Sequence, residues 1–149
     1  IKFFLAITSL GFICESFSEG YNRLDFSYRS YKPDTSIGFY TGKTCDFINI
    51  DHIVSLKHAY ESGAAVEGSQ EQNFANDQIN HVPSCGPVNR SKSSATPKDF
   101  LMCSSDGKGL DYQIVRWCDY AGRYQAVKIK YRLKAMIEPC YLNAATRSY

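Results

Sequence analysis

The sequence predicts a single α+β domain in which two short antiparallel strands and a following helix form a ββα core. The chain has 149 residues, the size of one domain rather than two. Two segments rich in β-branched residues, 45–56 and 79–83, are separated by an Ala-, Glu- and Gln-rich stretch that favours a helix. A helix start follows at Gly86–Lys92, where Pro87 suits a first turn. The core is therefore expected at about residues 45–100.

The segments on either side of the first strand differ in character. Residues 19–44 are rich in Tyr, Ser and Gly, with short apolar alternations, and predict extended chain that wraps the core. Residues 57–74 predict helix interrupted at Gly63 and Gly68, because glycine is a poor helix former.

The C-terminal part of the chain predicts helices. One short helix is expected near Pro97, with Thr96 as its N-cap. Residues 110–136 alternate aromatic, aliphatic and basic side chains, and Gly122 predicts a break between two helices there.

The first 18 residues have the pattern of a secretory signal peptide. After Lys2 the chain is almost wholly apolar as far as Cys14, which is too short a run to span a bilayer and has the length of a signal-peptide apolar region. Small residues Ser16 and Ser18 offer a cleavage site. We expect residues 1–18 to be removed, residues 19–149 to form the mature domain, and that domain to be secreted or periplasmic without a membrane segment. The alternative is a buried N-terminal helix or strand.

Cysteine usage agrees with that location. Six cysteines in a chain of this length are typical of an oxidising compartment. The absence of any Cys-x-x-Cys pair leaves a zinc finger or a thioredoxin-like site almost without support. Cys45 precedes the first strand and Cys85 follows the second, so antiparallel pairing of the strands predicts a disulfide between them. Cys103 and Cys118 are the second expected pair.

Composition and charge exclude some classes of protein but select no partner. With 44% hydrophobic and 21% charged residues, the chain is not of the disordered or collagen-like type. A net charge of +2 allows a phosphate-rich partner without requiring one.

Polar residues recur where the ββα core would bring them together. Asp51 and His52 lie in the first strand, Asn80 lies in the second, and Asn89 lies in the following helix. Carboxylate and amide oxygens suit a hard cation such as Mg²⁺. A neutral imidazole can accept a proton from an attacking water. The combination indicates one-metal phosphodiester hydrolysis.

At these residues the chain resembles the HNH, or ββα-metal, nuclease family. Asp51-His52-Ile53-Val54 looks like the Asp-His strand of the family, Asn80 like its central asparagine, and Asn89-Arg90-Ser91-Lys92 like its helix motif. The likeness is closest to secreted bacterial HNH nucleases and covers roughly residues 21–131. It rests there on three further motifs: Gly38-Phe39-Tyr40-Thr41-Gly42, Phe74-Ala75-Asn76-Asp77 and Asp106-Gly107-Lys108-Gly109-Leu110-Asp111-Tyr112.

The resemblance implies a role for each polar residue of the core. His52 is the general base, Asp51 and Asn89 bind one divalent cation, and Asn80 braces the loop that orients the base. The last family position is often histidine, and Asn89 in its place favours an oxygen-ligated cation over zinc. Mg²⁺ is the expected ion, with Mn²⁺ and Ca²⁺ as alternatives.

Each of these residues also has a simpler interpretation. Asp51 and His52 could form a surface pair, and the two asparagines could serve in turns or caps. Arg90 and Lys92 could hold substrate phosphates or could form a solvated helix face. His58 and His81 are less favoured as additional ligands, because a lone histidine is usually hydrogen-bonded or faces solvent.

The sequence as a whole predicts a secreted, divalent-metal-dependent endonuclease that cuts DNA, with RNA also allowed, at low sequence specificity. An antibacterial toxin nuclease is one alternative, and only this alternative would bring an immunity protein as partner. A catalytically silent, disulfide-held nucleic-acid-binding module is the other. An unperturbed histidine base predicts loss of activity below about pH 6.5.

Overall fold

A computed structural model describes residues 20–63, 68–101 and 114–134. The expected signal peptide at 1–18, Cys103 and the motif at 106–112 lie outside the described residues. In chain order the helices and strands are β1 (Ile48–His52), α1 (Leu56–Glu61), α2 (Gly68–Asn76), β2 (His81–Cys85), α3 (Gly86–Lys92), α4 (Pro97–Leu101) and α5 (Trp117–Lys130). This mixture of helices and strands confirms the α+β class.

The strands β1 and β2 form an antiparallel pair, and α3 follows β2 without a linker. The register pairs Ile48 with Cys85 at one end and His52 with His81 at the other. The second strand begins two residues later than the sequence predicts, because Asp77 caps a short 3₁₀ helix, Gln78–Asn80, by accepting a hydrogen bond from the backbone of Ile79. This shift places both histidines at the same end of the strand pair.

The helices α1 and α2 confirm the predicted interruption between them. Ser55 caps α1, and its hydroxyl accepts a hydrogen bond from the backbone N–H of His58 at 3.1 Å. The chain leaves α1 through Gly63, whose φ of +107° is open to glycine and strained for other residues. Helix α2 begins at Gly68. None of the described helices is long and apolar enough to span a bilayer.

Helix α5 runs unbroken through Gly122, so the predicted break there is wrong. The helix buries one face against the core, formed by Trp117, Tyr120, Tyr124 and Val127. A glycine inside a helix costs about 1 kcal/mol relative to alanine, and burial of a single large side chain stabilises by about 1.5–3 kcal/mol. Packing along this face therefore outweighs the local preference of Gly122.

The N-terminal segment wraps the core as expected and adds aromatic side chains to it. It is largely without regular structure apart from a 3₁₀ helix, Arg23–Phe26, which Asn22 caps through a 3.1 Å hydrogen bond to the backbone of Leu24. Phe26 and Tyr40 of this segment are buried, and Tyr40 packs edge-on against Tyr120 of α5 with ring centroids 5.0 Å apart. These contacts hold the segment beside β1.

The predicted disulfide between Cys45 and Cys85 is present, with a Cα–Cα distance of 5.1 Å. Gly38 packs against it so closely that a side-chain carbon at Gly38 would lie 2.9 Å from Cys85 Sγ. Cys118 is disulfide-bonded too, but its expected partner, Cys103, lies outside the described residues. The Cys45–Cys85 bond is typical of proteins in oxidising compartments.

Removal of this disulfide should destabilise the fold substantially. The bond joins residues 40 positions apart, and closing a loop of that length stabilises a chain by about 4 kcal/mol in the loop-entropy account. A Cys45→Ser/Cys85→Ser variant should show that loss as a lower denaturant midpoint in urea unfolding. Because the second disulfide is intact in this variant, a midpoint equal to that of the wild type would show that the 45–85 bond contributes nothing.

Candidate active site

A cleft of about 550 Å³ opens between β1, the start of α1 and the end of α3. Four of the predicted site residues line it: Asp51, His52, Asn89 and Arg90. Asn80 and Lys92 do not line it. Residues predicted from separate parts of the sequence thus meet at one surface, because the antiparallel register places the end of β1 beside the helix that follows β2.

His52 is nearly buried and its tautomer follows from one contact. Its Nε2 lies 2.8 Å from the backbone oxygen of Ala75, and a carbonyl can only accept a hydrogen bond. Nε2 therefore carries the proton, which leaves Nδ1 as the basic nitrogen. The ring of Tyr28 packs edge-on against the imidazole, with centroids 4.7 Å apart. The imidazole is held as a neutral base at the wall of the cleft.

The pKa of His52 is lowered to about 4. Burial is the main cause, because a charged imidazole would lose its solvation. The hydrogen bond to Ala75 raises the pKa, while nearby His81, Lys92 and Arg23 lower it further. At neutral pH the side chain is therefore unprotonated and able to accept a proton.

His81 lies opposite His52 in the strand register and shares its hydrogen-bond acceptor. Its Nε2 is 2.9 Å from the same Ala75 oxygen, and its Nδ1 is 3.2 Å from the hydroxyl of Tyr31. The two imidazole rings are nearly perpendicular, with centroids 4.8 Å apart. His81 does not line the cleft, so its position suits support of the Ala75 carbonyl rather than contact with substrate.

Asp51 is buried and receives two strong contacts on one oxygen. Its Oδ2 accepts a hydrogen bond from the Tyr40 hydroxyl at 2.6 Å and lies 3.0 Å from Lys92 Nζ. Burial and the Asp51 charge raise the pKa of Tyr40 well above its usual value, so the Tyr40 hydroxyl keeps its proton and donates this hydrogen bond to Asp51. Both contacts engage Oδ2, and no hydrogen bond or ion pair with another residue that the structure describes engages Oδ1, the oxygen that a ligand in the cleft would use.

Lys92 occupies a position that does not suit the predicted phosphate contact. Its side chain is completely buried, and Nζ donates a 2.8 Å hydrogen bond to the backbone oxygen of His52 in addition to its ion pair with Asp51. The alternative expectation, that Lys92 lies on a solvent-exposed helix face, is also wrong, because its side chain contacts β1. Lys92 therefore orients Asp51 and the backbone at His52 from below the cleft.

Asn89 reaches the cleft from α3 and is oriented by β1. Its Nδ2 donates to Asn49 Oδ1 at 3.1 Å, which leaves the amide oxygen of Asn89 as an acceptor. Asn49 and Asp51 are two residues apart in β1 and so point to the same side of the strand pair. One carboxylate and one amide oxygen along the same cleft fit a hard, largely hydrated cation. No group of three His, Cys, Asp or Glu side chains that could hold a metal occurs within the described ranges.

Asn80 is completely buried and holds the chain that follows His52. Its Oδ1 accepts a hydrogen bond from the backbone N–H of Val54 at 2.8 Å, and its Nδ2 donates to the Val54 oxygen at 3.0 Å. Its own backbone oxygen accepts from the N–H of Ile53 at 2.8 Å. The side chain takes the place of a strand partner for the segment that follows β1.

The cleft is also lined by residues that the sequence did not single out, among them Tyr28, Arg23 and Lys57. Arg23 and Lys57 are exposed, as is Arg90, so the cleft presents three cations around one buried carboxylate. Lys57 is the second residue of α1 and could have been found from its position after the Asp-His strand. No periodic signal marks Arg23 and Tyr28, because Arg23 begins a short 3₁₀ helix of one turn and Tyr28 lies in irregular chain.

Comparisons with known proteins identify no relative: no family model, curated protein or solved structure matches the chain.

Proposed function

We propose that this chain is a divalent-metal-dependent endonuclease of the HNH type that hydrolyses phosphodiester bonds in DNA, with RNA also allowed as a substrate. The observation that carries the proposal is the meeting of neutral His52, Asp51 and Asn89 in one cation-lined cleft on a strand–strand–helix unit. Two kinds of feature support the proposal: the motifs of the sequence, and the burial of His52, its contact with Ala75 and the lining of the cleft.

The roles of the side chains follow from their contacts. Asp51 and Asn89 would hold the cation, which supplies charge stabilisation at the scissile phosphate and at the leaving oxygen. His52 takes a proton from the attacking water at Nδ1, while the Ala75 carbonyl keeps the ring in position through Nε2–H. Arg90, Arg23 and Lys57 bind the phosphates. Contacts of this kind address the backbone and not the bases, which favours low sequence specificity.

The Cys45–Cys85 disulfide supports action outside the reducing cytosol, in a secreted or periplasmic setting.

Cleavage should require a divalent cation and should depend on the oxygen of Asn89. We expect the purified chain to nick supercoiled plasmid with Mg²⁺ or Mn²⁺ and to stop with chelator. Asn89→Leu should raise the metal concentration that gives the half-maximal rate. Loss of a residue that only supports a metal ligand typically weakens metal binding by about 10- to 100-fold, and loss of Asn89 as a ligand should cost at least as much. Asn89→Asp keeps an oxygen donor and should need no more metal than the wild type. Binding of DNA without cleavage under all these ions would instead support a silent binding module.

Activity should persist in acid well below the pH expected of an ordinary histidine. With its pKa at about 4, His52 stays unprotonated until the pH approaches that value, so the acid limb of the kcat/KM profile should lie near pH 4 and not near 6.5. Single-turnover cleavage of a short duplex across pH 3.5–8, a range set by those two values, would measure it. A midpoint close to 6.5 would contradict the assignment of His52, with its lowered pKa, as the titrating base.

A further inference from the structure

A second groove, of about 410 Å³, is formed by the chain just before β1 and the first part of α3. Arg90 lines both this groove and the cleft, so its side chain is common to the two cavities. The groove also contains Lys43 and the ring of Phe47, with Asp46 as its acidic member. No ion pair among the described residues engages Arg90 or Lys43, and both side chains are exposed.

Phe47 is an unusual residue for such a surface. Its side chain is 64% exposed, although a phenylalanine is among the residues most often buried. The residue is nevertheless fixed in place. Gly86 donates a backbone hydrogen bond to the Phe47 oxygen at 2.9 Å, and a side-chain carbon at Gly86 would lie 2.9 Å from Phe47 Cδ1. The same carbon would lie 3.5 Å from Arg90 Nη1, so the aromatic ring and the guanidinium flank Gly86.

We infer that this groove binds a single nucleic-acid strand next to the scissile phosphate, with a base stacked on Phe47 and backbone phosphates on Arg90 and Lys43. An exposed aromatic ring beside cations in a groove is the arrangement by which proteins hold single strands, because every base has a face that stacks. The inference rests on the proposed nuclease function and adds a substrate class to it: single-stranded or frayed nucleic acid is bound more tightly than closed duplex. Paired and stacked bases inside a duplex do not offer a free face to Phe47.

The test is binding of fluorescein-labelled DNA in chelator, measured by anisotropy at fixed low salt. The two probes are an oligo-dT strand and a duplex closed by a hairpin at both ends. Phe47→Ala should raise the Kd for oligo-dT by about 5- to 150-fold, the range for loss of one stacked base. Phe47→Leu should lose nearly as much affinity, whereas Phe47→Tyr should bind like the wild type. The closed duplex should be affected little by any of these changes.

Two controls separate stacking from other effects. Ile129→Ala removes an equally exposed apolar side chain, at 64%, that lines neither cavity, and should leave both affinities unchanged. Arg90→Gln should weaken binding of both DNAs and should reduce the salt slope by about 1. Absence of oligo-dT binding by the wild type, wild-type affinity in Phe47→Ala, or equal losses on both DNAs would overturn the groove assignment.

Binding in chelator also keeps this inference distinct from the nuclease proposal. Plasmid nicking by a chain whose Phe47→Ala variant binds oligo-dT normally would overturn the groove and leave the proposed function standing. Phe47-dependent binding by a chain that nicks nothing with any divalent ion would overturn the function and support the groove.

Discussion

Replacing His52 with glutamine should lower the rate of phosphodiester cleavage by about 10²- to 10⁴-fold, the usual contribution of a general base. Glutamine places an amide nitrogen close to the position of the imidazole Nε2, so it can still donate to the Ala75 carbonyl. It lacks a basic nitrogen at the position of Nδ1. The substitution therefore removes the proposed base with little change to the hydrogen bond that positions it.

The measurement is single-turnover cleavage of a short DNA duplex at saturating Mg²⁺, with circular dichroism as the check on folding. His58→Gln is the matched control. His58 does not line the cleft, and glutamine can still accept the 3.0 Å hydrogen bond from Lys128. Full activity in His58→Gln with loss in His52→Gln is expected. Wild-type activity in His52→Gln would remove His52 from the mechanism.

A second variant distinguishes loss of the base from loss of structure. His52→Ala opens space beside Tyr28 and His81, and added imidazole should restore part of the cleavage if the missing group is a proton acceptor.

Burial of neutral His52 also predicts a change in stability. Its folded pKa is lowered, so the unfolded chain binds the proton first and stability declines as pH falls from about 6.5 to about 4, by up to about 3 kcal/mol. His52→Gln should flatten that decline in urea unfolding.

Much of the core could be predicted because it depends on short-range patterns. The two β-branched segments and Pro87 in a first turn are local signals, and the disulfide between Cys45 and Cys85 then follows from antiparallel pairing of the two strands. Asn80 lies where the pattern places it. Its buried pairing with Val54, 26 residues away, nonetheless depends on a tertiary contact that no local signal contains.

The remaining features of the site depend on tertiary packing. Tyr40 and Tyr28 come from irregular chain whose path is determined by the aromatic core and not by a repeat. The proximity of His81 to His52 requires the exact strand register, which the sequence pattern does not contain. Gly122 and Lys92 both show tertiary packing overriding a local preference. A helix breaker is accepted inside α5, and a charged residue typical of helix surfaces is fully buried.

Lys92→Met should lower the free energy of unfolding by about 3–5 kcal/mol, the usual cost of removing one partner of a buried ion pair. Asp51 is only 6% exposed, and without Lys92 its charge would be left with the Tyr40 hydroxyl as its remaining described contact. The backbone oxygen of His52 would lose its donor as well. Lys57→Met is the matched control, because the 3.8 Å pair of Lys57 with Glu61 is 53% exposed on both sides, and it should cost less than about 1 kcal/mol.

Urea unfolding of a double-mutant cycle tests whether the cost comes from the unpaired carboxylate. Asn at position 51 keeps an acceptor for Tyr40 and removes the charge, so Lys92→Met should cost much less in the Asp51→Asn background than in the wild type. Equal costs in the two backgrounds would show that Lys92 stabilises by packing alone. A large coupling would instead show that Lys92 stabilises the fold mainly through its ion pair with Asp51. This matters for the proposed site because Lys92 would then fix the position of the carboxylate that is proposed to bind a divalent cation.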